Sequence, residues 1–181
     1  MKVDETSLPG VLLLTPAIHR DSRGAFWETW SLKDMDVAGM PATWVQDNFS
    51  LSKKNVLRGI HYQTVQPQGK LVRVTHGAVL DVAIDLRRSS PMFGKHVAVE
   101  LRGDNGQMLW IPEGFGHAFL VLSDVAGFAY KVTNPYCPQG ERTIVWNDPE
   151  LAIPWPVDSE TAIVSDKDRN GATFALAEAF A

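Results

Sequence analysis

Short extended segments separated by turn residues fill most of this chain, and they constrain its fold more than any other feature. Between Trp44 and Trp146, runs rich in aliphatic and aromatic residues are interrupted at short intervals by Gly, Pro, Asn or Asp. Within this region Asp104-Asn105-Gly106 is a strong β-hairpin signal. Many short strands at this spacing are typical of a sandwich or a closed barrel, so the sequence predicts an all-β fold. The predicted strands are 12–18, 25–30, 44–52, 56–63, 70–76, 78–85, 95–101, 107–111, 117–122, 126–132 and 142–145.

Two short helices are predicted outside these strands. Ser31, with Asp34 three residues later, resembles an N-cap with an acidic partner and predicts a helix over 32–37. The tail over 173–180 favours a second short helix that caps the barrel. No repeat, linker or low-complexity tract divides the 181 residues, so we expect a single domain over 1–181.

Composition excludes several classes of protein. A formal net charge of −4 gives no electrostatic footprint for nucleic acid. The single cysteine, Cys137, allows neither an intramolecular disulfide nor a cysteine-based zinc site. The sequence has no signal-peptide pattern and no apolar run long enough to span a membrane, so we expect a cytoplasmic protein.

The alternation of residues within the strand over 78–85 indicates a polar barrel interior. Positions 80, 82, 84 and 86 are all large aliphatic residues, whereas Asp81 and Asp85 lie on the opposite face. The aliphatic face would pack in a dry core. In a barrel built from two sheets, the face with the two carboxylates could line a wet interior.

Three further strands carry groups suited to proton transfer. His61 is the candidate base, and either Asp85 or Asp81 could hold one of its ring nitrogens. The ammonium group of Lys70 could stabilise an oxyanion, and Tyr130 could act as the acid. This set fits removal of a proton next to a carbonyl group without a metal.

A metal site is not expected. The segment 112–117 (PEGFGH) has the spacing of the second motif of cupin barrels. Metal-binding cupins also need a His-x-His pair, and Gln63 stands where its second histidine would be. His61 and His117 alone make a poor transition-metal site, so we expect no metal and no other cofactor.

Five side chains of the sequence are suited to binding a nucleotide. Arg23 and Arg58 are candidate phosphate ligands, because a guanidinium group matches phosphate oxygens. Phe26, Trp27 and Tyr136 could stack on a base.

The motifs together resemble one family. QDN at 46–48, LRGIHYQ at 57–63, QGKLVR at 68–73, DVAID at 81–85, LWIPEGF at 109–115 and WND at 146–148 are similar to the dTDP-4-dehydrorhamnose 3,5-epimerase family, in order, from about residue 8 to 155. The resemblance implies a cupin jelly-roll β-barrel, a homodimer, no metal and a dTDP-sugar substrate. It implies conversion of dTDP-4-keto-6-deoxy-D-glucose to dTDP-4-keto-L-rhamnose, in dTDP-L-rhamnose biosynthesis, by proton removal and return at C3 and C5.

The resemblance also implies roles for individual residues. It makes His61 the proton acceptor, with Asp85 as its partner, and Tyr130 the proton donor. Around the substrate it places Arg23, Glu28, Gln46, Asn48, Arg58, Lys70, His117, Glu141 and Lys167.

Three alternatives stay open at the level of sequence. A related enzyme could epimerise only C3 or only C5, or could act on another nucleotide sugar. The chain could instead be a non-catalytic barrel that binds nucleotide sugars, or a metal-dependent cupin oxygenase.

Overall fold

Two facing antiparallel sheets make up most of the protein. The computed structural model describes residues 1–37, 39–41 and 43–181. The strands are β1 (Lys2–Glu5), β2 (Leu12–Thr15), β3 (His19–Asp21), β4 (Gly24–Phe26), β5 (Gln46–Lys53), β6 (Val56–Gln63), β7 (Lys70–His76), β8 (Ala78–Asp85), β9 (His96–Arg102), β10 (Met108–Ile111), β11 (Phe115–Val121), β12 (Val125–Val132), β13 (Glu141–Thr143) and β14 (Ile163–Val164). The helices are α1 (Leu32–Val37), α2 (Asp166–Arg169) and a 3₁₀ turn over Phe174–Leu176.

The order of the strands is that of a jelly roll. One sheet has the order β1-β2-β10-β7-β12-β5, and the other has the order β13-β6-β11-β8-β9. Along the chain, β5, β7, β10 and β12 therefore belong to the first sheet, while β6, β8, β9 and β11 belong to the second. The predicted all-β cupin-type barrel is confirmed. Outside this barrel, β3 and β4 form a separate two-stranded hairpin.

The second sheet is buried on both faces along β8 and β11. Its inner face contributes Ala83 and Phe119 to the core between the sheets, where they pack with Phe128 of the first sheet. Its outer face carries Val82 and Ile84, which a cluster from the C-terminal segment covers. Full burial of a large aliphatic side chain contributes about 1.5–3 kcal/mol. Because both faces of β8 lie inside the protein, its carboxylates are buried just as the aliphatic residues that alternate with them are.

The predicted boundaries agree with the structure wherever a strand is strongly patterned. The bounds of β6, β7 and β8 match the predicted 56–63, 70–76 and 78–85. The predicted helix over 32–37 is confirmed as α1, and Ser31 Oγ accepts a hydrogen bond from the Asp34 N–H at 3.3 Å.

Two predicted local structures are wrong. The turn at 104–106 does not join paired strands, because β9 pairs with β8 whereas β10 pairs with β2 and β7 in the other sheet. Turn residues specify a reversal of the chain but not the partner of the strand that follows. In the tail only the 3₁₀ turn is helical, and Phe180 forms a parallel bridge with Arg87.

The helices of the described residues are short. None of them is long and apolar enough to cross a membrane.

Candidate active site

A β-bulge in β6 brings two functional side chains to one cavity. His117 of β11 lies opposite His61, and Phe119 lies opposite Arg58, so three steps on β6 match two on β11. Gly59 lies within the bulge at a φ of +124°, and a Cβ added there would be 2.6 Å from the carbonyl oxygen of His117. Glycine is therefore required where the strands approach this closely. Because of the bulge, Arg58 and His61 border the same space although they are three residues apart.

The cavity has a volume of about 350 Å³ and is bordered by strands of both large sheets. It contains positively charged, negatively charged and neutral polar side chains, which suits a charged, hydroxyl-rich ligand. Its lining consists of Asn48, Phe49, Ser50, Arg58, His61, Tyr62, Gln63, Gln68, Lys70, His117, Phe119, Tyr130, Tyr136 and Glu141.

The carboxylate that holds His61 comes from the C-terminal segment. Asp168 Oδ1 lies 2.5 Å from His61 Nε2, and Asp168 Oδ2 accepts the Gly59 N–H at 3.2 Å. Ser165 caps α2 and accepts the Asp168 N–H at 3.1 Å, which fixes the carboxylate. Burial acts to raise the pKa of Asp168, but the hydrogen bond and charge of His61, together with the hydrogen bonds from Gly59 and Ser165, outweigh burial and lower the pKa. A charged Asp168 keeps the proton on Nε2 and leaves Nδ1 free to accept one.

Asp85 is not the partner of His61, and that prediction is wrong. Its carboxylate accepts hydrogen bonds from the Arg87 N–H at 3.0 Å, from Arg87 Nη2 at 2.7 Å and from Ser90 Oγ at 2.7 Å. Burial acts to raise the pKa of Asp85, but these hydrogen bonds outweigh it and lower the pKa. Asp85 is the last residue of β8 and lies opposite Phe115, so the turn that follows the strand satisfies its carboxylate. The contacts of Asp85 with Arg87 and Ser90 therefore stabilise this turn.

Asp81, the other carboxylate of β8, is paired with a different histidine. Its Oδ2 lies 2.9 Å from His117 Nε2, and both side chains are buried. Burial lowers the pKa of His117, although Asp81 opposes that effect. The His117 ring stacks on Phe128 with 5.9 Å between the ring centroids. A rigid, neutral imidazole therefore borders the cavity beside His61.

Lys70 and Tyr130 lie in the same cavity, as predicted. Lys70 is buried, and its Nζ donates to the carbonyl oxygen of His61 at 3.3 Å. Burial lowers the pKa of Lys70 to about 8, with the charges of Asp81 and Glu141 acting in the opposite direction. Burial also raises the pKa of Tyr130, so its hydroxyl stays protonated at neutral pH.

The rim of the cavity is a chain of polar contacts. Tyr136 donates its hydroxyl to Glu141 Oε2 at 2.9 Å, and Lys167 Nζ lies 2.5 Å from Glu141 Oε1. Gln46 accepts the Tyr136 N–H at 3.1 Å and donates to Asn48 Oδ1 at 2.8 Å. The structure thus brings these five predicted residues to the cavity or its edge.

Three predicted residues lie elsewhere. Arg23 and Phe26 belong to the β3–β4 hairpin, where Arg23 is ion-paired with Asp21 at 2.6 Å and Phe26 is 73% exposed. Glu28 follows the hairpin and is exposed. None of the three is among the residues that line the cavity around His61 in the described chain.

The side chains present do not fit a cupin metal centre. His61 and His117 are each hydrogen-bonded to an aspartate, and the carboxamide of Gln63 is bonded to loop backbone. Over residues 1–37, 39–41 and 43–181 there is no group of three or more His, Cys, Asp or Glu side chains placed to hold a metal ion.

Sequence reasoning missed Asp168, the carboxylate that contacts His61. It is 107 residues from His61, and strand alternation carries no information about a contact at that separation. The only local signal is Ser165 three residues before Asp168, the spacing of an N-cap with an acidic partner.

Comparison with known proteins places the chain in a family. The model of the dTDP-4-dehydrorhamnose 3,5-epimerase family matches residues 5–175. The dTDP-4-dehydrorhamnose 3,5-epimerase of Pseudomonas aeruginosa is 49% identical over 181 residues, which cover 99% of each chain. The dTDP-6-deoxy-D-glucose-3,5-epimerase of Legionella pneumophila, solved in complex with dTDP-4-keto-L-rhamnose, superposes with a TM-score of 0.94 at 45% identity and covers 98% of this chain and 94% of its own.

A monoepimerase structure is also similar. ChmJ, a 3'-monoepimerase from Streptomyces bikiniensis solved with dTDP-quinovose, has a TM-score of 0.88 and 35% identity over 94% of this chain and 86% of its own. The resemblance found in the sequence is confirmed by the family match and by the full-length relatives, and the chain belongs to the dTDP-4-dehydrorhamnose 3,5-epimerase family.

Proposed function

We propose that this protein is a dTDP-4-dehydrorhamnose 3,5-epimerase, which converts dTDP-4-keto-6-deoxy-D-glucose to dTDP-4-keto-L-rhamnose. The observation that carries the proposal is a histidine oriented by a buried carboxylate, His61 with Asp168, in one cavity with Lys70 and Tyr130. The names of the full-length relatives and the nucleotide sugar bound to the Legionella enzyme support the choice of substrate.

Proton removal begins the reaction. C3 and C5 of the substrate flank the C4 carbonyl, so their C–H bonds are more acidic than ordinary ones. His61 takes a proton through Nδ1, while the negative charge of Asp168 stabilises the imidazolium that forms. The electron pair of the broken C–H bond moves into the enolate.

Lys70 stabilises the charge on the enolate oxygen. Its buried ammonium group lies in a low-dielectric part of the cavity, where it stabilises an oxyanion more than it would in water. The buried carboxylate of Asp81 helps Lys70 to keep its proton. His117 is held rigidly by Asp81 beside this position and contacts the sugar.

Tyr130 returns a proton to the opposite face of the planar enolate. Because burial raises its pKa, the phenol carries the proton it must donate. His61 then gives its proton to solvent water and Tyr130 takes one back, after which the same steps invert the second carbon. Each cycle restores the C–H bond that it broke, so there is no net oxidation and no redox cofactor is consumed.

Epimerisation at a single carbon is the competing proposal, and the similarity to the Streptomyces monoepimerase supports it. The same acid and base would serve either reaction, so the pose of the sugar decides between them. Proton NMR of the product distinguishes the two, since the double epimerase inverts both C3 and C5.

We also propose that the protein acts as a cytoplasmic homodimer of single-domain protomers, each spanning residues 1–181. Arg58 and Lys167 lie at the cavity and suit a diphosphate. Arg23 and Phe26 suit the nucleotide as well, but they project from an exposed hairpin. In a dimer, the hairpin of one protomer can complete the cavity of the other.

Two aspartate-to-asparagine variants distinguish the residue that orients the base from the residue that supports the structure. Asp168→Asn should lower kcat by about 10²–10⁴-fold with little change in KM, because the amide cannot stabilise the imidazolium. Asp85→Asn should leave kcat within about two-fold of wild type, since Asp85 contacts only structural groups. Both rates are measured by NMR with dTDP-4-keto-6-deoxy-D-glucose.

The same Asp85→Asn variant should be less stable. Loss of a buried, hydrogen-bonded charge predicts a free energy of unfolding at pH 7 that is lower by about 2–4 kcal/mol in urea titrations. Since the folded pKa of Asp85 lies below its unfolded value, the stabilisation exists above about pH 4 and is lost as the pH falls further. The acid-induced loss of stability should therefore be shallower in the variant.

A turnover defect in Asp85→Asn as deep as that of Asp168→Asn would contradict the assignment of roles.

Exchange of solvent deuterium should separate the acid from the base. Tyr130→Phe keeps the ring and removes the hydroxyl, so His61 can still form the enolate and return solvent hydrogen to the same face. In deuterated water, recovered substrate should gain deuterium while inverted product falls sharply. His61→Asn should block exchange and inversion together. A Tyr130→Phe enzyme that inverts both centres at the normal rate would remove Tyr130 from the mechanism.

The charge of Lys70 should set the alkaline limit of activity. Because burial lowers its pKa to about 8, kcat/KM should fall above this pH as the ammonium group loses its proton. Lys70→Met should lower kcat/KM at pH 7 by about 10²–10³-fold and abolish this limb of the profile. Exposed Lys95 provides the control, and Lys95→Met should keep both rate and profile. An unchanged limb in Lys70→Met would assign it to another group.

Hybrid dimers test the proposed contribution of the hairpin. Arg23→Ala should lower kcat/KM by about 10–100-fold through loss of a phosphate contact, and His61→Asn should be inactive. A heterodimer of the two variants, purified with two different tags, should regain about half the wild-type activity, because one cavity then has both native residues. Failure to regain activity would place Arg23 and His61 of a site in the same protomer.

A further inference from the structure

Gln63 is a buried polar residue that the proposed mechanism does not use. It follows His61 by two residues on β6 and is 4% exposed. Its Nε2 donates to the carbonyl oxygens of Gln66 at 2.8 Å and Pro135 at 3.3 Å, and its Oε1 accepts the Cys137 N–H at 2.9 Å. One carboxamide thus joins the loop that follows β6 to the loop between β12 and β13.

The second of these loops carries Tyr136 to the rim of the cavity. Tyr136 is 53% exposed, so apolar packing contributes little to the position of its ring. Its backbone N–H is held by Gln46 at 3.1 Å, and Gln68 Nε2 donates to the carbonyl oxygen of Asn134 at 2.8 Å. The backbone from 134 to 137 is therefore held mainly by side-chain amides, and Gln63 is the buried one that makes three of the contacts.

Only a carboxamide at position 63 can make all three contacts. Glutamate could accept from Cys137 but could not donate to the two carbonyl oxygens, and methionine could do neither. A buried backbone group left without a partner destabilises the folded loop. The loop can relieve that cost by moving into water, and Tyr136 would move with it.

We propose that Gln63 is a positioning residue for recognition of the nucleotide sugar, acting through Tyr136. It fixes the loop backbone so that the Tyr136 ring stands over the cavity and the Tyr136 hydroxyl reaches Glu141, which itself pairs with Lys167. This inference rests on the proposed function, which makes Tyr136 a substrate contact. Gln63 serves affinity for the nucleotide, whereas its neighbour on the same face, His61, serves the chemical step.

The first experiment separates binding from chemistry. Gln63→Met should raise KM, and the Kd of dTDP alone measured by calorimetry, by about ten-fold with kcat within about two-fold of wild type. Gln139→Met is the matched control, since Gln139 is an exposed residue of the same loop. It should change none of these constants. A lower kcat at unchanged KM would overturn the proposal, because Gln63 would then act on the reacting sugar.

A double-mutant cycle tests whether Gln63 acts through Tyr136. If it does, Gln63→Met should add no further loss of dTDP affinity in a Tyr136→Ala background. Additive losses would overturn the proposed route. If Gln63→Met does not fold, Gln63→Glu enters the same cycle, since it keeps the size of the side chain and the hydrogen bond from Cys137.

Hydrogen exchange of the free protein tests the tether without any substrate. Gln63→Met or Gln63→Glu should speed exchange of the Tyr136 and Cys137 amides while the amides of β6 and β11 stay protected. Unchanged exchange at these two amides would overturn the inference. Faster exchange and weaker dTDP binding, in an enzyme with no epimerase activity, would leave the inference standing and overturn the proposed function instead.

Discussion

The contact between His61 and Asp168 is the interaction on which the rest of the site depends. It joins a central strand of the barrel to a segment that lies outside it, and the same carboxylate also accepts the N–H of Gly59 in the bulge. A buried carboxylate is stable only when its oxygens are satisfied, so the bulge, the histidine ring and α2 stabilise one another. The groups that orient the His61 ring are therefore also the groups that hold its strand in place.

Much of the fold could be predicted because the strands of the barrel are strongly patterned. The bounds of β6, β7 and β8 are marked by turn residues, and alternation assigns the face of each side chain. That information was sufficient to bring His61, Lys70 and Tyr130 into one cavity. The same alternation allowed the carboxylate face of β8 to line the barrel interior, and Asp81 and Asp85 are both fully buried.

Contacts between distant segments could not be predicted in the same way. Alternation gives the face of Asp85 but not what lies opposite it, and Arg87 and Ser90 in the next turn occupy its carboxylate. The actual partner of His61 lies in a four-residue helix whose only sequence signal is its cap, Ser165. The hairpin predicted after β9 was wrong for a related reason, since a reversal of the chain does not determine which sheet the next strand joins.

The position of Asp168 along the chain has a consequence for protein synthesis. Asp168 follows every residue that borders the cavity. Chains emerge from the ribosome N-terminus first, at about 5–20 residues per second, so the strands of the barrel are available before α2 is made. A nascent chain can form the cavity while its histidine still lacks an oriented ring. On the proposed mechanism, proton abstraction then requires α2 to be released and docked, so the incomplete enzyme cannot react with the sugar.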